Sequence, residues 1–569
     1  MKRPAIPHLI SLLLLAFLLP MAASAAPADR PAAHPPGAAI ASAHALATEA
    51  GLDTIRDGGN AFDAAVTVSS VLSVVEPISS GLGGGGFFLL HDARTGKDVF
   101  LDAREIAPQA ATPEVYLDAQ GNLDSDKAES GPWSAGLPGL PAALVKLARE
   151  YGKLPLSRTL APAIAIAEQG FPVYGRLERG YAGKREVLER YPGTRALFLA
   201  DGDPPTVGEV LRQPDLARTL RLIAEQGFDG FYRGDVARKL VAGVNAEGGQ
   251  WTTEELAVYS VREREPIRFR YRDWDITTAP PTSSGGVALA EILQVASGWD
   301  LSKLDPAQRT HVLVEAMRRA YRDRTIYLGD PDFTRVPMAR LLSREYAAGL
   351  RATIHPEKAT PSALLPGQPA PLEDEETTHF SIIDAEGNIV SATQTINLLY
   401  GSGLVPPGTG VILNDEMDDF ALKPGTPNAF GVMGFEANAV EGGKRMLSSM
   451  TPTFMESPSK LAVLGAPGGS RIITEVLLGI LAYDAGLSAE EVAAAPRFHH
   501  QWFPDVVYVE PTTFDAATLQ ALQAMGHAVE EDGTWGVLNT VSWDKTANRL
   551  SGGADPRNAV GSAAVLPVE

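Results

Sequence analysis

The feature that most constrains this chain is a break in its regular patterning between His355 and Glu376. Five prolines interrupt this stretch, and four consecutive carboxylates close it: Pro356, Pro361, Pro366, Pro369, Pro371 and Glu373-Asp374-Glu375-Glu376. Proline removes a backbone donor and prevents regular elements. We therefore expect residues 355–376 to be extended, solvated and easily parted from the fold. Taken alone, the stretch is more typical of a plain interdomain linker.

A strand that begins at a hydroxyl residue follows the break directly. Residues 377–383 alternate like a strand, residues 384–388 form a turn containing glycine, and Ile389–Ile396 returns as a second strand. This order is how an N-terminal-nucleophile hydrolase is built. Cleavage between Glu376 and Thr377 would free the Thr377 α-amine, whose pKa of about 8 lets it accept the proton of its own Oγ. The alternative is that two threonines simply favour a strand.

Composition restricts the nucleophile further. The chain of 569 residues contains no cysteine, which excludes disulfides, thiolate metal sites and a Cys nucleophile. The nucleophile must then be an oxygen atom. With 49 Lys and Arg against 69 Asp and Glu, the net charge of −20 makes a nucleic-acid partner unexpected.

The N-terminus predicts export. Lys2 and Arg3 precede an apolar run over Leu9–Met21, and Ala23-Ser24-Ala25 supplies the small residues of a cleavage site. Residues 1–25 are therefore predicted to be a signal peptide, with a buried helix as the alternative. No later stretch sustains about 18 apolar residues, so we expect a periplasmic or secreted protein without a membrane span after signal removal.

Two helices are predicted between Ser42 and Val75. Asp57-Gly58-Gly59 ends the first, and Asn60 caps the second with Asp63 three residues later. Their small residues predict close packing against a sheet.

A glycine-rich segment, residues 80–86, then leads into the strand Phe87–His91. No Gly-Lys-Ser/Thr follows, so tight backbone passage beside a site is favoured over a nucleotide loop. The region from about 150 to 350 is charged and helical, as over Ala307–Asp323, and carries no motif.

Two residues of the returning strand are candidates for the site. Thr395 and Asn397 lie two apart and should share a face. Thr395 is placed to hydrogen-bond and orient Thr377, and Asn397 to reach a polar group of a substrate. Ordinary cross-strand hydrogen bonds are the alternative.

Several acids surround Met417 in the segment 414–420. They suit a substrate ammonium, but solvated surface acids are an equal alternative. Calcium is disfavoured because the glycine and ligand spacing of an EF-hand are missing. Arg104 offers a guanidinium that pairs with carboxylates through two hydrogen bonds, unless it forms a surface ion pair.

A glycine turn predicts an anion site. Leu461–Leu464 is predicted to be a buried strand, residues 465–470 a tight turn and Ile472–Tyr483 a helix. Glycines at such a turn point backbone N–H groups into an anion site. In an acyl-transfer enzyme this is the oxyanion hole, worth about 3 kcal/mol per donor.

Together these strings resemble the γ-glutamyltranspeptidase (glutathione hydrolase) family over nearly the whole mature chain. They are HALATEAGLDTIRDGGNAFDAAV, SGLGGGGFFLL, LDAREIAP, TTHFSIIDAEGNIVSATQTIN, NDEMDDFALKPGTPN, LSSMTPT, GAPGGSRIIT, APRFHHQW and GGADPR. The resemblance implies an α+β fold, the αββα four-layer sandwich, formed jointly by two subunits cut from one precursor. The large subunit would be 26–376 and the small catalytic subunit 377–569. It also implies γ-glutamyl transfer from glutathione-like donors to water, an amino acid or a peptide, without a metal or other cofactor.

The resemblance assigns a role to each matching position. It implies that Thr377 is the nucleophile of both processing and catalysis and that Thr395 orients it. The oxyanion donors would be Gly468 and Gly469. The residues that hold the donor would be Arg104, Ser448 and Ser449 for its α-carboxylate, and Asn397, Glu416 and Asp419 for its α-ammonium.

A lid over the donor pocket is implied for Lys423–Glu436, which favours small donors. Members of the family often carry Tyr at the lid tip, bonded to the residue matching Asn397. Phe430 stands there in this chain. Its ring can cover the pocket but cannot form that hydrogen bond, which leaves open how the lid is held.

Three alternatives remain at this stage. His499 and His500 invite a metal site, but the family implies none there and we expect them to be structural. A glutaryl acylase of the same family would not need Glu416 and Asp419, because glutaryl lacks the ammonium. A non-catalytic exported amino-acid-binding protein would stay uncut.

Overall fold

The computed structural model describes residues 34–199, 202–364 and 377–567. The predicted signal peptide, the second half of the linker and Glu376 lie outside the described residues. Within the described ranges, no helix has the length and apolar character needed to cross a membrane.

The secondary structure follows in chain order. The strands of the described chain are β1 (Gly37–Ser42), β2 (Gly85–Asp92), β3 (Lys97–Ala103), β4 (Phe171–Pro172), β5 (Val210–Leu211), β6 (Arg262–Arg264), β7 (Ile267–Tyr271), β8 (Trp274–Thr278), β9 (Thr378–Ile383), β10 (Ile389–Thr395), β11 (Thr453–Glu456), β12 (Lys460–Gly465), β13 (Phe498–His499), β14 (Val507–Val509), β15 (Val529–Glu531), β16 (Asn539–Asp544), β17 (Arg549–Gly553) and β18 (Ser562–Pro567). The α-helices are α1 (Ala45–Arg56), α2 (Ala61–Val75), α3 (Ser125–Glu129), α4 (Leu140–Glu150), α5 (Leu156–Thr159), α6 (Ala161–Gln169), α7 (Gly175–Arg190), α8 (Pro192–Phe198), α9 (Pro214–Gln226), α10 (Asp229–Tyr232), α11 (Gly234–Ala246), α12 (Thr253–Ala257), α13 (Gly285–Ala296), α14 (Pro306–Tyr327), α15 (Met338–Leu341), α16 (Arg344–Arg351), α17 (Ile472–Asp484), α18 (Ala489–Ala494) and α19 (Ala516–Ala524).

Two antiparallel sheets form the centre of the molecule. The first has the strand order β18-β1-β9-β10-β2-β3-β6, and the second β17-β16-β12-β11-β8-β7. Each sheet combines strands that precede Thr377 with strands that follow it. A cut at this position would therefore leave both sheets shared between the two products.

Alternating side chains of the first sheet separate two apolar cores. On β2, Phe88 and Leu90 pack in the core that contains α1 and α2, while Phe87 and Leu89 face the core shared with the second sheet. Helices α13, α14 and α17 cover the far side of the second sheet. Because a strand alternates its side chains, each sheet buries both faces. The predicted αββα layering is confirmed.

Local signals placed the first two helices correctly. Gly58, at φ 94°, follows the end of α1, and the Asn60 side chain accepts from the Asp63 amide at 3.0 Å. The Asp63 carboxylate accepts in return from the Asn60 amide, also at 3.0 Å. This capping box satisfies donors that a helix start would otherwise leave unpaired.

The described part of the linker, residues 355–364, corrects one prediction. The Thr360 amide donates to Glu315 at 2.9 Å, and the amide of the buried Ser362 donates to Asp505 at 2.7 Å. We expected this stretch to be solvated and easily parted from the fold. Residues 355–358 are exposed as expected, but the expectation is wrong for Thr360 and Ser362, whose amides are bonded to the fold. Partners on α14 and beyond the cut satisfy its backbone, because burial demands such pairing.

Candidate active site

The hairpin β9–β10 carries the predicted nucleophile. Thr377 immediately precedes β9, and its Oγ1 donates to Thr395 Oγ1 at 3.2 Å. The same Thr395 oxygen accepts from the Asn397 amide at 2.7 Å. The predicted contact between the two threonines is therefore present, and both side chains are buried.

The backbone conformation that places Asn397 in the site differs from the predicted one. Strand β10 ends at Thr395, and Asn397 has φ 78°, so the expectation of a shared strand face is wrong. Asparagine tolerates this left-handed region better than most residues. Its Nδ2 donates to the Asp415 carbonyl at 3.2 Å, which holds the turn in place.

A pocket opens in front of Thr377 within the described residues. Its lining consists of Arg104, Arg324, Thr377, Thr395, Asn397, Glu416, Asp419, Asn428, Phe430, Val432, Ser448, Ser449, Met450, Gly469, Ser470 and Ile472. The structure thus brings together nearly all predicted site residues. Gly468 is the exception, since it precedes Gly469 in the turn without lining the pocket.

Arg104 lies at the centre of a buried charge cluster. Only 1% of its side chain is exposed, and its guanidinium pairs with both Glu416 and Asp419. It also donates to the Met446 carbonyl at 3.3 Å. The hypotheses of a surface ion pair at Arg104 and of solvated acids around Met417 are both wrong, because the fold buries these groups against each other.

Burial disfavours the charged forms of these three side chains, and their mutual pairing offsets part of that effect. Burial raises the pKa of Glu416 to about 7 despite the opposing effect of Arg104. Burial likewise raises the pKa of Asp419. For Arg104, burial works against the charge, but Glu416 and Asp419 raise its pKa above the ordinary value.

A second guanidinium reaches the pocket from α14. Arg324 Nε donates to Ser284 Oγ at 3.0 Å, and an Arg324 terminal nitrogen donates to Ser449 Oγ at 3.1 Å. Burial lowers the pKa of Arg324. The middle of the chain, where the sequence shows no motif, therefore contributes a residue to the pocket. No local signal marks Arg324, which is one of several arginines on a long helix.

Tight backbone passage beside the site explains the glycine run. A Cβ on Gly83 would lie 2.0 Å from the Ile412 carbonyl oxygen, and a Cβ on Gly84 would lie 2.0 Å from the Thr395 carbonyl oxygen. Any side chain would push these backbones apart. The predicted close approach is confirmed.

The glycine turn lies between β12 and α17, as predicted. Gly468 has φ 123° and Gly469 φ 48°, so both adopt backbone conformations that favour glycine. Tyr321 of α14 donates its hydroxyl to the Ser470 carbonyl. Helix α14 therefore supports this turn through Tyr321 and contacts Ser449 through Arg324.

The lid segment, Lys423–Glu436, covers the pocket. Phe430 is buried beside Leu398 and Val432. Asn428 Nδ2 donates to Asp419 at 3.2 Å, which connects the lid tip to the charged cluster.

The two adjacent histidines contact different partners. His499 Nδ1 lies 2.8 Å from Thr474 Oγ1, whereas His500 Nε2 donates to Asp505 at 3.3 Å. Their side chains diverge, as expected of structural residues.

Among the described residues, a separate group with donor atoms close enough for a metal is His311, Glu315 and His527. Most of its donor atoms are engaged in hydrogen bonds, since His311 Nδ1 lies 2.8 Å from His527 Nε2 and Glu315 accepts from Arg319 at 2.7 Å. The buried His527 Nδ1 has no hydrogen-bond partner among the described residues.

Comparisons with known proteins agree with this geometry. A sequence model of the family described as Gamma-glutamyltranspeptidase matches residues 47–565. A glutathione hydrolase proenzyme from Pseudomonas sp. (strain A14) is 43% identical over 86% of this chain and 85% of that protein. One from Escherichia coli (strain K12) is 41% identical over 91% and 90%. The crystal structure of cephalosporin acylase from Bacillus halodurans superposes with a TM-score of 0.83 at 31% identity, covering 97% of this chain and 100% of that one.

Proposed function

The chain belongs to the gamma-glutamyltranspeptidase family, and on this basis we propose which residues carry out each step of the reaction. It is a γ-glutamyltransferase and glutathione hydrolase of the N-terminal-nucleophile type, made as a proenzyme. It transfers the γ-glutamyl group of glutathione and related amides to water, an amino acid or a peptide.

Maturation proceeds by a cut between Glu376 and Thr377, after export and removal of residues 1–25. The products are a large subunit, 26–376, and a small subunit, 377–569, which remain together as a heterodimer in the periplasm or outside the cell. Support comes from the two sheets, since each contains strands from both products. The cut converts the Thr377 amide nitrogen into an amine, which supplies the base that the precursor lacks.

The assignment of the donor rests on one observation, the pairing of opposite charges in the pocket. Arg104 pairs with Glu416 and Asp419, so a cation and two acids lie side by side at one end of the pocket. A γ-glutamyl donor carries a carboxylate and an ammonium on one carbon. Its carboxylate takes hydrogen bonds from Arg104, Ser448 and Ser449, and its ammonium donates to Asn397, Glu416 and Asp419.

Charge balance favours this zwitterion over a glutaryl group. The charged side chains among the pocket-lining residues are Arg104, Arg324, Glu416 and Asp419, whose formal charges cancel. A zwitterion keeps the balance, whereas glutaryl would add one uncompensated negative charge. An unpaired buried charge costs about 3–5 kcal/mol.

With the donor so held, its γ-carbonyl carbon lies over Thr377 Oγ. The hydroxyl oxygen attacks that carbon while its proton passes to the Thr377 α-amine, and Thr395 holds the hydroxyl in place. The N–H groups of Gly468 and Gly469 stabilise the oxyanion. The C–N bond then breaks, the leaving amine takes the proton, and a γ-glutamyl ester remains on Thr377 until water or an acceptor amine attacks it.

Arg324 orients one of the carboxylate-binding hydroxyls. A guanidinium only donates, so Ser449 Oγ must accept in its 3.1 Å contact with Arg324. The hydroxyl hydrogen of Ser449 is then directed to another acceptor, which we assign to the donor α-carboxylate. Arg324 also adds a second positive charge at this end of the pocket.

Purified protein tests the proposal on a denaturing gel and with two anilides. We expect two subunits, and faster hydrolysis of γ-glutamyl-p-nitroanilide than of glutaryl-p-nitroanilide. Faster glutaryl turnover would instead identify an acylase. One intact, inactive chain of about 60 kDa would favour the amino-acid-binding alternative.

A further inference from the structure

Gln501 connects the lid to the glycine turn. Its Nε2 donates to the Phe430 carbonyl oxygen at 3.0 Å, and its Oε1 accepts from Ser470 Oγ and lies 2.9 Å from His499 Nε2. The side chain is buried. We call this set of three contacts the Gln501 bridge.

Hydrogen-bond chemistry fixes the orientation of this amide. A carbonyl only accepts, so the atom of Gln501 that faces Phe430 must be the NH₂ group. The amide oxygen then faces His499 Nε2, which must carry a hydrogen. His499 Nδ1 is left as the acceptor, so the Thr474 hydroxyl, 2.8 Å away, donates to it rather than to the Arg471 carbonyl at 2.9 Å.

We propose that Gln501 is a positioning residue that holds the lid closed and ties the closed lid to the oxyanion turn. The bond to the lid uses a backbone carbonyl, so it does not require a hydroxyl on residue 430. This explains how a lid with Phe430 at its tip stays closed. The catalytic consequence rests on the proposed function, whereas the lid contact itself does not.

The bridge completes a lid that spans both ends of the pocket. At one end Asn428 bonds Asp419 at 3.2 Å, and at the other Gln501 bonds Phe430 and Ser470. Between them, Asn428 Oδ1 accepts from the amides of Phe430 and Val432, both at 3.1 Å, and keeps the tip compact. Release of Gln501 should therefore free the tip on the side of the glycine turn.

Two variants separate the lid contact of the bridge from its contact with the glycine turn. Gln501→Glu at neutral pH cannot donate to Phe430 but still accepts from Ser470 and His499. We expect about tenfold faster hydrogen exchange of the amides in 428–432 and about tenfold higher donor KM, with a smaller change in kcat. Ser470→Ala keeps the lid contact but frees the turn, so it should lower kcat and leave lid exchange as in wild type.

Acidification provides a rescue that a general structural defect would not show. Once protonated, the carboxyl group introduced by Gln501→Glu regains an O–H donor for the Phe430 carbonyl. The ratio of the Gln501→Glu KM to the wild-type KM should therefore shrink toward one as the pH falls to about 5. Lid exchange and a donor KM within about twofold of wild type in Gln501→Glu would overturn the proposal. Exchange is measured on the folded chain whether or not it is active, so failure of the proposed function would be seen separately.

Discussion

The two ends of the pocket are built from different groups. The reacting end uses neutral hydroxyls and backbone amides and consists of Thr377, Thr395 and Gly469, with Gly468 preceding Gly469 in the turn. The anchoring end uses buried charges and consists of Arg104, Arg324, Glu416 and Asp419. In the proposed reaction, the first end touches the bond that changes, and the second holds a part of the donor that stays the same throughout.

This difference predicts a division between kinetic constants. Contacts that are equal in the ground and transition states affect KM, whereas contacts formed only in the transition state affect kcat. Variants of the reacting end should therefore lower kcat, and variants of the anchoring end should raise KM. A reacting-end variant that changes mainly KM, or an anchoring-end variant that changes mainly kcat, would contradict this division.

The largest effect is expected at Thr377. Thr377→Ala removes the nucleophile, so the chain should remain uncut and activity should fall by more than about 10⁴-fold. Thr377→Ser keeps a hydroxyl and is the matched control, with partial cutting and residual turnover. The gel and the γ-glutamyl anilide assay measure both, and efficient cutting of Thr377→Ala would contradict the assignment.

The glycine turn comes next. Gly468→Ala places a Cβ at φ 123°, which should displace the oxyanion donors and lower kcat about 100-fold with little change in KM. Gly486→Ala is the control, because Gly486 has φ 91° and open space around its Cβ position. It should cost about 1 kcal/mol of stability and leave kcat unchanged. Equal kcat values for the two variants would show that the turn does not act on the reaction.

At the anchoring end, Arg324→Met tests the orientation of Ser449. Loss of the guanidinium removes both its charge and its bond to that hydroxyl, so we expect donor KM to rise about tenfold while kcat stays within about threefold. Arg309→Met, at an exposed position of the same helix, is the matched control. Steady-state kinetics of the cut variants measure both constants. A fall in kcat without a rise in KM would show that Arg324 acts on the reacting end instead.

The smallest effect is the response of the anchoring end to pH. Burial raises the pKa of Glu416 to about 7, so below that pH it loses the charge that pairs with the donor ammonium. Donor KM should therefore rise a few-fold as the pH falls from about 8 to about 6. Glu416→Gln should have a high KM that does not change in this way. A wild-type KM independent of pH would contradict the pairing.

Local sequence signals predicted the backbone of the reacting end and the start of α2 well. The hairpin β9–β10, the glycine turn before α17 and the capping box at Asn60 depend on neighbours within a few residues, and all three are present as predicted. The roles of individual residues came from the resemblance, and the structure places nearly all of them at one pocket. Their roles stay predictions until the variants are measured.

Contacts between distant segments could not be predicted. Arg324 reaches the pocket only because α14 packs beside it, and Gln501 reaches the lid and the glycine turn only because the segment after α18 lies next to them. The linker residue Ser362 is buried because Asp505, far along the chain, accepts its amide. The position of Asn397 could not be predicted either. Strand β10 ends before it and its φ is positive, so strand alternation does not describe where its side chain lies.

Mass spectrometry of the enzyme quenched during turnover of a γ-glutamyl donor tests the central claim most directly. We predict a small subunit whose first residue is Thr377 and whose N-terminal peptide carries one γ-glutamyl group. An active enzyme with a different N-terminus, or with the γ-glutamyl group on another residue, would contradict the account.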